Sequence, residues 1–401
     1  MADSLSSPWL TIIGIGEDGL AGLSEASRNA LEKAETVFGG ERHLRLARID
    51  GRGRPWPVPF DAACVLARRG RPTAVLASGD PFWHGAGGSL AAQLSRDEWV
   101  AYPAPSTFSL AASRLGWRLE EVNSIGLHAA PFERLVPLLA RGARIICTVR
   151  DGKAASDLAN WLDRRGFGAS RLWTLSALGG PRERILEDSA NDYNAEAAES
   201  PLAVAIEADG AAGLPRASGL ADELFRHDGQ ITKRPVRALA MSALAPRQGE
   251  RLWDIGAGSG SISVEWALAG GIAAAIEARE DRAANIRANA AAFGQAHRIK
   301  VVVGTAPAAL AGLEKPDAVF IGGGLDTAMF DALWPLLPGG TRVVAHSVTL
   351  ETEALLSELQ QRHGGELMRI ELSHASPLGR MRCWEATRPI VQWSAVKGGA
   401  T

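Results

Sequence analysis

Three glycines on alternate residues, Gly256, Gly258 and Gly260, follow an apolar run that contains Asp254. Glycine lets a chain turn sharply and lets a ligand lie directly against the backbone. A helical period of apolar residues begins after this turn, and the next apolar run ends in Glu277. The pattern predicts a strand, a nucleotide-binding turn and a helix, with an acid placed to bind ribose hydroxyls.

Two kinds of cofactor suit this turn. A dinucleotide would place its pyrophosphate on the helix N-terminus, whereas S-adenosylmethionine carries a sulfonium and an ammonium group and no phosphate. Asp254 would repel the pyrophosphate and attract those cations, and Ser261 stands where the third glycine of the dinucleotide motif would pack. The residues therefore favour S-adenosylmethionine. A nicotinamide or flavin nucleotide, and a glycine-rich turn without a ligand, are the alternatives.

A second group of candidate residues lies near the N-terminus. The apolar run 10–15 leads into glycines and Glu17, and the run 73–77 leads into Ser78-Gly79-Asp80-Pro81-Phe82-Trp83. Ligands of open α/β sheets bind at the carboxyl edge of the strands, where both loops should lie. Asp80 either faces a ligand there or only shapes its turn. Further along, Ser106 or Thr107 should cap a helix.

The elements that position these loops alternate between strand and helix through most of the chain. This order predicts an α/β protein, with a mostly parallel, doubly wound sheet in the second half. Small and breaking residues over 208–216 indicate a linker. We therefore predict a first domain over 1–208, a linker over 209–219 and a second domain over 220–401.

Composition excludes several classes of protein. With 46% hydrophobic and 22% charged residues, the 401-residue chain has the balance of a soluble globular protein. Its formal net charge of −2 argues against a nucleic-acid partner, which would need a basic surface. No apolar stretch approaches the roughly 18 residues of a membrane span, and no secretion signal is present at the start, so we expect a cytoplasmic protein. Cysteine and histidine spacings indicate no metal site.

The first half resembles the tetrapyrrole methyltransferases of the cobalamin pathway, two-lobed enzymes that use S-adenosylmethionine. The resemblance covers about 9–208 and is strongest at 78–81 and at Leu178-Gly179-Gly180-Pro181-Arg182-Glu183-Arg184-Ile185. It departs at 14–18, where the family pattern G-x-G-P-G lacks its proline, and at 104–106, where Pro-Gly-Ser is usual. The family pattern implies that the following residues surround the cofactor: Glu17, Asp80, Trp83, Ser106 and Thr107.

The second half resembles the decarboxylating precorrin-6B C15-methyltransferases, from about 220 to 393. The match is most specific at 231–233, 254–260, 304–307 and 322–324, and at Glu277. It implies that the following residues surround the cofactor: Thr232, Gly256, Ala257, Gly258, Ser259, Gly260, Glu277 and Ala306. With both halves in this order, the chain resembles the fused precorrin-6Y C5,15-methyltransferases (decarboxylating).

The resemblance implies S-adenosylmethionine-dependent methylation of precorrin-6B at C5 and C15, with loss of the ring C acetate carboxyl, giving precorrin-8. Methyl transfer is an in-line displacement that requires the reacting atoms to be held about 3–3.5 Å apart, so no dedicated nucleophile is needed. His346 is a candidate for the decarboxylation step, and a structural histidine is the alternative. Arg380 and Arg382 are candidates for binding substrate carboxylates, unless they are solvated. The families also suggest a homo-oligomer.

Two other functions compete with this one. An RNA or protein methyltransferase with an N-terminal recognition domain would show a basic stripe and aromatic platforms. Gly322-Gly323-Gly324 stands where base methyltransferases carry an Asn-Pro-Pro-Tyr type of sequence, which counts against that class. A non-catalytic sensor of S-adenosylmethionine is the third possibility.

Overall fold

The computed structural model of the chain describes residues 8–194 and 198–398. It divides into two compact units. The described residues up to Phe132 and those from Leu138 to Ala212 form unit 1, while Glu133–Pro137 and the described residues from Gly213 onward form unit 2. The change of unit at Ala212 lies inside the predicted linker, and residues 208–219 form no regular helix or strand.

Unit 1 begins with a parallel sheet and its covering helices. The strands are β1 (Leu10–Ile15), β2 (Thr36–Gly39), β3 (Gly53–Pro55), β4 (Thr73–Ser78) and β5 (Trp99–Tyr102). The helices are α1 (Glu25–Lys33), α2 (Glu41–Leu46), α3 (Ala63–Leu66), α4 (Ala86–Ala91) and α5 (Thr107–Leu115). The sheet order is β3-β2-β4-β1-β5, so the carboxyl ends of the two central strands, β4 and β1, lie side by side, with Ile15 opposite Ser78.

A second sheet completes unit 1, and its strands pair mostly antiparallel. The strands are β6 (Val122–Gly126), β7 (Arg144–Val149), β8 (Arg171–Ser176), β9 (Arg184–Ser189) and β10 (Leu202–Glu207), and α6 (Gly152–Leu162) connects β7 to β8. The order is β6-β7-β10-β8-β9. β9 begins at Arg184, at the end of the motif 178–185, because this edge strand pairs with β8; its mostly exposed residues give no apolar run.

Unit 2 mostly alternates strands with helices up to residue 363 and ends in four consecutive strands. The strands are β11 (Arg251–Ile255), β12 (Ile272–Glu277), β13 (Ile299–Val303), β14 (Ala318–Ile321), β15 (Arg342–Ser347), β16 (Glu366–Ile370), β17 (Ser373–Leu378), β18 (Met381–Ala386) and β19 (Ile390–Val396). The helices are α7 (Arg234–Leu244), α8 (Ser261–Leu268), α9 (Glu280–Ala292), α10 (Thr327–Leu333) and α11 (Leu350–His363).

The main sheet of unit 2 has the order β13-β12-β11-β14-β15-β19-β16. The five strands from β11 to β15 pair in parallel, and β19 runs antiparallel to β15 and β16. The chain adds β12 and then β13 on one side of β11, and then places β14 on the other side of β11. This reversal creates a crevice at the carboxyl ends of β11 and β14, where ligands of doubly wound sheets bind.

Alternation along the strands explains why helices cover both faces of this sheet. Leu252 and Phe320 belong to one buried apolar cluster, whereas Trp253 and Val319 belong to another. Neighbouring residues of a strand point to opposite faces, so each face needs its own layer of helices. Burial of each large aliphatic side chain stabilises the fold by roughly 1.5–3 kcal/mol. The prediction of a mostly parallel, doubly wound sheet is confirmed.

Serine side chains cap the N-termini of two helices of unit 1. The Ser24 hydroxyl accepts the backbone N–H of Ser27 at 3.1 Å, and the Ser106 hydroxyl accepts that of Ser109 at 3.1 Å. Ser106 is therefore the cap of α5, and Thr107 is the first helical residue. Within residues 8–194 and 198–398, no helix combines the length and apolar character needed to cross a bilayer.

Candidate active sites

A cavity of about 540 Å³ opens in unit 2 at the carboxyl ends of β11, β12, β14 and β15. Most of the predicted site residues of this unit line it. They are Thr232, Gly256, Ala257, Gly258, Ser259, Glu277, Ala306 and His346. The structure therefore brings together residues that are spread over more than a hundred positions in the sequence.

The glycine turn forms the floor of this cavity. Gly256, Gly258 and Gly260 have φ angles of +68°, +58° and +73°, a left-handed backbone that favours glycine. A Cβ at Gly256 would lie 2.8 Å from the carbonyl oxygen of Gly323, so the two glycine loops at the ends of β11 and β14 touch through their backbones. Gly260 does not line the cavity. A Cβ there would lie 2.7 Å from a methyl carbon of Ile286, so this glycine serves close packing of α9.

Glu277 ends β12 and is buried at the edge of the cavity. Its Oε2 accepts the backbone N–H of Gly258 at 2.9 Å, and its Oε1 accepts that of Arg279 at 3.0 Å. Each carboxylate oxygen has further lone pairs, which remain for the two hydroxyls of a ribose. The carboxylate is thereby oriented before any ligand binds.

Asp254 lies just before the glycine turn, as predicted, but its side chain does not line the cavity. Its carboxylate is 1% exposed, and Oδ2 accepts the backbone N–H and the hydroxyl of Ser263 at 3.1 and 2.6 Å. Burial, with a smaller contribution from repulsion by Glu277, raises the pKa of this carboxyl to about 6 in spite of the hydrogen bonds from Ser263. A cation in the neighbouring cavity would relieve this repulsion, whereas an anionic pyrophosphate would increase it.

Two buried polar atoms of this site have no partner among the described residues, Ser259 Oγ and Asp254 Oδ1. Ser259 lines the cavity. Unsatisfied buried groups cost about 1–3 kcal/mol each, and native proteins retain few of them. A ligand that donates hydrogen bonds would satisfy the Ser259 hydroxyl.

His346 lies at the end of β15, with its ring 5.0 Å from that of Phe320. Its Nε2 lies 2.9 Å from Oε1 of Gln392, which lies opposite it on β19. Because a carbonyl oxygen only accepts, Nε2 carries the proton. Burial lowers the pKa of His346, so its imidazole is neutral at pH 7.

Arg380 and Arg382 are not among the residues that line this cavity. They belong to the hairpin of β17 and β18, whose strands pair with each other and not with the main sheet. Both side chains are exposed. The cationic residues that do line the cavity are Lys233 and Arg282, and Arg282 Nε donates to Asp228 at 2.9 Å.

The segment Gly219–Lys233, here named the strap, forms one wall of the cavity through residues 230–233. Buried polar side chains hold it in place. Glu265 accepts the backbone N–H groups of Gly219 and Leu220 at 2.8 and 2.9 Å. Arg237, which is 0% exposed, donates to Glu265 at 2.6 Å and to the carbonyl oxygens of Leu220 and Thr232.

Asn289 links the strap to the glycine turn. Its Oδ1 accepts the backbone N–H of Arg226 at 2.8 Å, and its Nδ2 donates to the carbonyls of Arg226 and Ser259 at 2.9 and 2.8 Å. The side chain is 1% exposed. One amide therefore fixes both the wall and the floor of the cavity.

Unit 1 holds a larger cavity, of about 820 Å³, at the carboxyl ends of β1 and β4. Of the predicted site residues, those that line it are Glu17, Trp83, Ser106 and Thr107. Asp80 does not line it; its Oδ1 accepts the backbone N–H of Phe82 at 2.9 Å and shapes the turn. A Cβ at Gly14 would lie 1.9 Å from the carbonyl oxygen of Gly79, so the two loops approach through bare backbone.

Arginines engage the Glu17 carboxylate. Arg42 Nη1 donates to its Oε1, and Arg182 Nη2 lies 3.3 Å from its Oε2. Glu17 is 9% exposed. Arg42 belongs to α2 and Arg182 to the loop before β9, so this carboxylate joins both sheets of unit 1 at the cavity.

Sequence reasoning missed the polar cluster beside Glu17, which consists of Arg42, His43 and Ser78. Arg42 Nη2 donates to Ser78 Oγ at 2.7 Å, and His43 Nε2 lies 2.8 Å from the same oxygen. A signal was present, because Arg42 and His43 follow the two glycines that end β2, the position where site residues of parallel sheets occur. Further cationic and histidine residues that line this cavity are His84, His128 and Arg150.

Metal ligands are not clustered in either unit: within residues 8–194 and 198–398 no group of three or more histidine, cysteine, aspartate or glutamate side chains could hold a metal ion.

Comparisons with known proteins agree with the two-unit structure. A model of tetrapyrrole (corrin/porphyrin) methylases matches residues 9–193, and a model of the precorrin methyltransferase domain matches residues 223–397. The fold is thus that of an α/β methyltransferase built from two such domains. The tetrapyrrole methylase family implies S-adenosylmethionine as methyl donor.

Whole-chain relatives define the family more closely. The chain is 47% identical over 405 residues to a precorrin-6Y C(5,15)-methyltransferase [decarboxylating] of Sinorhizobium sp, covering 98% of both chains. It is 39% identical over 397 residues to the protein of that name from Mycobacterium tuberculosis (strain CDC 1551 / Oshkosh), covering 97% of this chain and 100% of the relative. The chain belongs to the precorrin-6Y C5,15-methyltransferase (decarboxylating) family, as the motifs predicted.

A solved structure also resembles part of the chain. The C-terminal domain of precorrin-6Y C5,15-methyltransferase from Rhodobacter capsulatus is 57% identical, with a TM-score of 0.45, and covers 46% of this chain and 100% of its own.

Proposed function

We propose that the chain methylates precorrin-6B at C5 in the cavity of unit 1 and at C15 in the cavity of unit 2, where the ring C acetate also loses its carboxyl group. The product is precorrin-8, and S-adenosylmethionine is the methyl donor at both sites. The observation that carries this proposal is that each unit has its own cavity at the carboxyl edge of a parallel sheet. Each unit also matches a different methyltransferase family model.

Charge supports S-adenosylmethionine in unit 2. Glu277 and the buried Asp254 form a negative region at the glycine turn, and their repulsion contributes to the raised pKa of Asp254. The sulfonium and ammonium groups of the cofactor would be attracted to this region. Glu277 would accept the ribose hydroxyls, and Thr232, Ala306 and the glycine turn would enclose the rest.

The cavity of unit 1 suits a large acidic ring beside the cofactor. Its volume of about 820 Å³ is in the upper part of the range for small-molecule sites. Arg42 and Arg150 line it, and guanidinium groups pair with carboxylates through two hydrogen bonds. Trp83 and Phe108, whose rings lie 5.8 Å apart, add an apolar wall.

Both methyl transfers need alignment more than a protein nucleophile. The S–CH₃ bond breaks with its electrons going to sulfur, and the new C–C bond uses π electrons of the macrocycle, which is already electron-rich. The protein holds donor and acceptor in line and excludes water. In unit 2 the C–CO₂ bond also breaks, and the macrocycle takes the electron pair. His346 is neutral and its Nε2–H is engaged by Gln392, so it suits positioning of the acetate better than proton donation.

Transfer of labelled methyl groups tests this function. The full chain is incubated with S-adenosylmethionine labelled in its methyl group, with precorrin-6B or bulk tRNA as acceptor. We expect two labelled methyl groups and loss of one carbon dioxide in the corrin fraction. Label in RNA, with none in the corrin fraction, would instead support a nucleic-acid methyltransferase.

The number of cofactor sites tests the two-cavity arrangement. Calorimetry of the full chain with S-adenosylhomocysteine should give two sites, and Gly258→Arg should leave one because the new side chain fills the unit 2 cavity. The matched control is Gly312→Arg, since Gly312 also has a positive φ (+74°) and has open space around it. A single site in the unsubstituted chain would refute the arrangement. The homo-oligomer stays a prediction, which sedimentation would measure.

A further inference from the structure

The cluster of Arg42, His43 and Ser78 in the unit 1 cavity has a defined direction of hydrogen bonding. Arg42 Nη2 lies 2.7 Å from Ser78 Oγ and 2.9 Å from His43 Nε2, and these two atoms lie 2.8 Å apart. A guanidinium only donates. Arg42 Nη2 therefore donates to both Ser78 Oγ and His43 Nε2, and Nε2 must carry a lone pair. The Ser78 hydroxyl, 2.8 Å from Nε2, can turn its own proton toward that lone pair.

This arrangement places a base next to a hydroxyl in the wall of the cavity. Ser78, at the end of β4, and His43, on α2, both line the cavity, and Ser78 is the more exposed of the two. His43 Nδ1 is buried and has no hydrogen-bond partner among the described residues. Such an unsatisfied group is unfavourable for stability, which indicates that the position of this imidazole is retained for another reason.

Electrostatics keeps the imidazole in its basic form. Burial and the charge of Arg42 lower the pKa of His43 to about 4, so it is neutral at pH 7. The charged groups around the cluster are Arg42 and Arg45 on α2, Glu17 after β1 and Arg182 before β9. Glu17 pairs with Arg42 and Arg182, which limits the net positive charge next to His43.

C5 methylation requires a proton acceptor. A meso carbon carries one hydrogen, and when it accepts a methyl group it becomes tetrahedral. It regains its double bond only if the C–H bond breaks and its electron pair returns to the macrocycle. The C–H bond of such a positively charged intermediate is strongly acidic, so even a weak base is sufficient.

We propose that Ser78 and His43 accept the C5 proton after methyl transfer in unit 1, an inference that rests on the function proposed for this cavity. The proton passes from C5 to Ser78 Oγ as the Ser78 hydroxyl proton passes to His43 Nε2. The products are the methylated macrocycle, neutral S-adenosylhomocysteine and an imidazolium, which releases its proton to water. Arg42 orients the hydroxyl, and Glu17 orients Arg42.

Isotope effects on C5 methylation by the full chain test this role. The rate is measured with precorrin-6B that carries hydrogen or deuterium at C5, for the unsubstituted chain and for His43→Gln and Ser78→Ala. Removal of a general base typically lowers the rate by about 100-fold or more. We expect such a loss in kcat for His43→Gln, a smaller loss for Ser78→Ala, and in both a primary deuterium isotope effect larger than in the unsubstituted chain.

The controls separate this role from a structural one. Both variants should bind S-adenosylhomocysteine in calorimetry with two sites, and His374→Gln, at an exposed histidine of β17, should methylate C5 at the original rate. An unchanged C5 rate in His43→Gln, or a slower rate without an increased isotope effect, would overturn the proposal. If the unsubstituted chain does not methylate C5 at all, the proposed function itself fails.

Discussion

Glu277 accepts the backbone N–H of Gly258 at 2.9 Å, although the two residues are 19 positions apart in the sequence. The bond ties the end of β12 to the glycine turn after β11. The acid that should bind the ribose and the backbone that should lie against the cofactor are therefore one rigid unit. A change at Glu277 should affect both functions together.

Replacing Glu277 with Gln should weaken cofactor binding in unit 2. Hydrogen bonds to charged groups contribute about 1.5–3 kcal/mol, and the loss of the charge should lower affinity by roughly 10- to 100-fold. Calorimetry with S-adenosylmethionine on the full chain measures the effect. Glu280→Gln, at an exposed acid at the start of α9, is the control. Equal affinities for the two variants would argue against ribose binding by Glu277.

The sequence predicted the parts of the sites that depend on local backbone. Apolar runs in the sequence mark these places. The glycine turn and Glu277 come at the ends of such runs, and the Ser106 cap comes before a helical one, so their position at the sheet edge follows from strand direction alone. Asp254 was correctly placed at the turn, but its side chain points to the N-terminus of α8. The rotation of one side chain is a matter of packing, which periodicity does not reveal.

The residues missed or misplaced depend on contacts between distant segments. Arg42 and His43 reach Ser78 because β2 pairs with β4 in the sheet, and the sequence does not state which strands are neighbours. Arg380 and Arg382 belong to a hairpin whose strands β17 and β18 pair only with each other, so neither arginine lines the cavity of unit 2. Arg237 contacts the strap from a helix interior, and no motif marks it.

Replacing Asp254 with Asn should stabilise the chain and weaken cofactor binding. The buried carboxylate is destabilising when ionised, so the neutral amide should raise the free energy of unfolding at pH 8 by on the order of 1–3 kcal/mol. S-adenosylmethionine should bind more weakly in unit 2, and S-adenosylhomocysteine, which lacks the sulfonium charge, should lose less affinity. Denaturant titration and calorimetry measure the two effects. A destabilised variant with unchanged affinity would show that Asp254 is only structural.

The buried Asp254 carboxyl also predicts that the stability of the fold depends on pH. Folding raises the pKa of Asp254 from 3.8 to about 6, so the folded chain holds the proton more tightly than the unfolded chain. The stability that comes from this proton is present below the unfolded pKa and is lost as the pH rises through about 6. We compare the free energy of unfolding of the unsubstituted chain with that of Asp254→Asn. The difference between them should grow between about pH 4 and pH 6, as the unsubstituted chain loses stability, and should stay constant above that range. A constant difference across this window would contradict the prediction.

Replacing Asn289 with Ala should loosen the strap. The change leaves the N–H and C=O of Arg226 and the carbonyl of Ser259 without their partner, and each unsatisfied group costs about 1–3 kcal/mol. With three such groups, we expect a loss of at least about 3 kcal/mol in the free energy of unfolding, and a weaker unit 2 cofactor site. Asn285→Ala, at a half-buried residue one turn earlier in α9, is the matched control. The prediction fails if both variants bind the cofactor equally well.

Replacing Glu17 with Gln separates two roles for this carboxylate. Family resemblance implies contact with the cofactor, whereas the structure shows both oxygens engaged by Arg42 and Arg182. If Glu17 mainly orients Arg42, the variant should keep its affinity for S-adenosylhomocysteine in unit 1 within a few-fold, while kcat for C5 methylation falls by roughly 10-fold. C15 methylation should not change, because Glu17 lies in unit 1. Glu25→Gln, at an exposed acid of α1, controls for the loss of one negative charge. A loss of cofactor affinity as large as the loss in kcat would instead assign Glu17 to the cofactor.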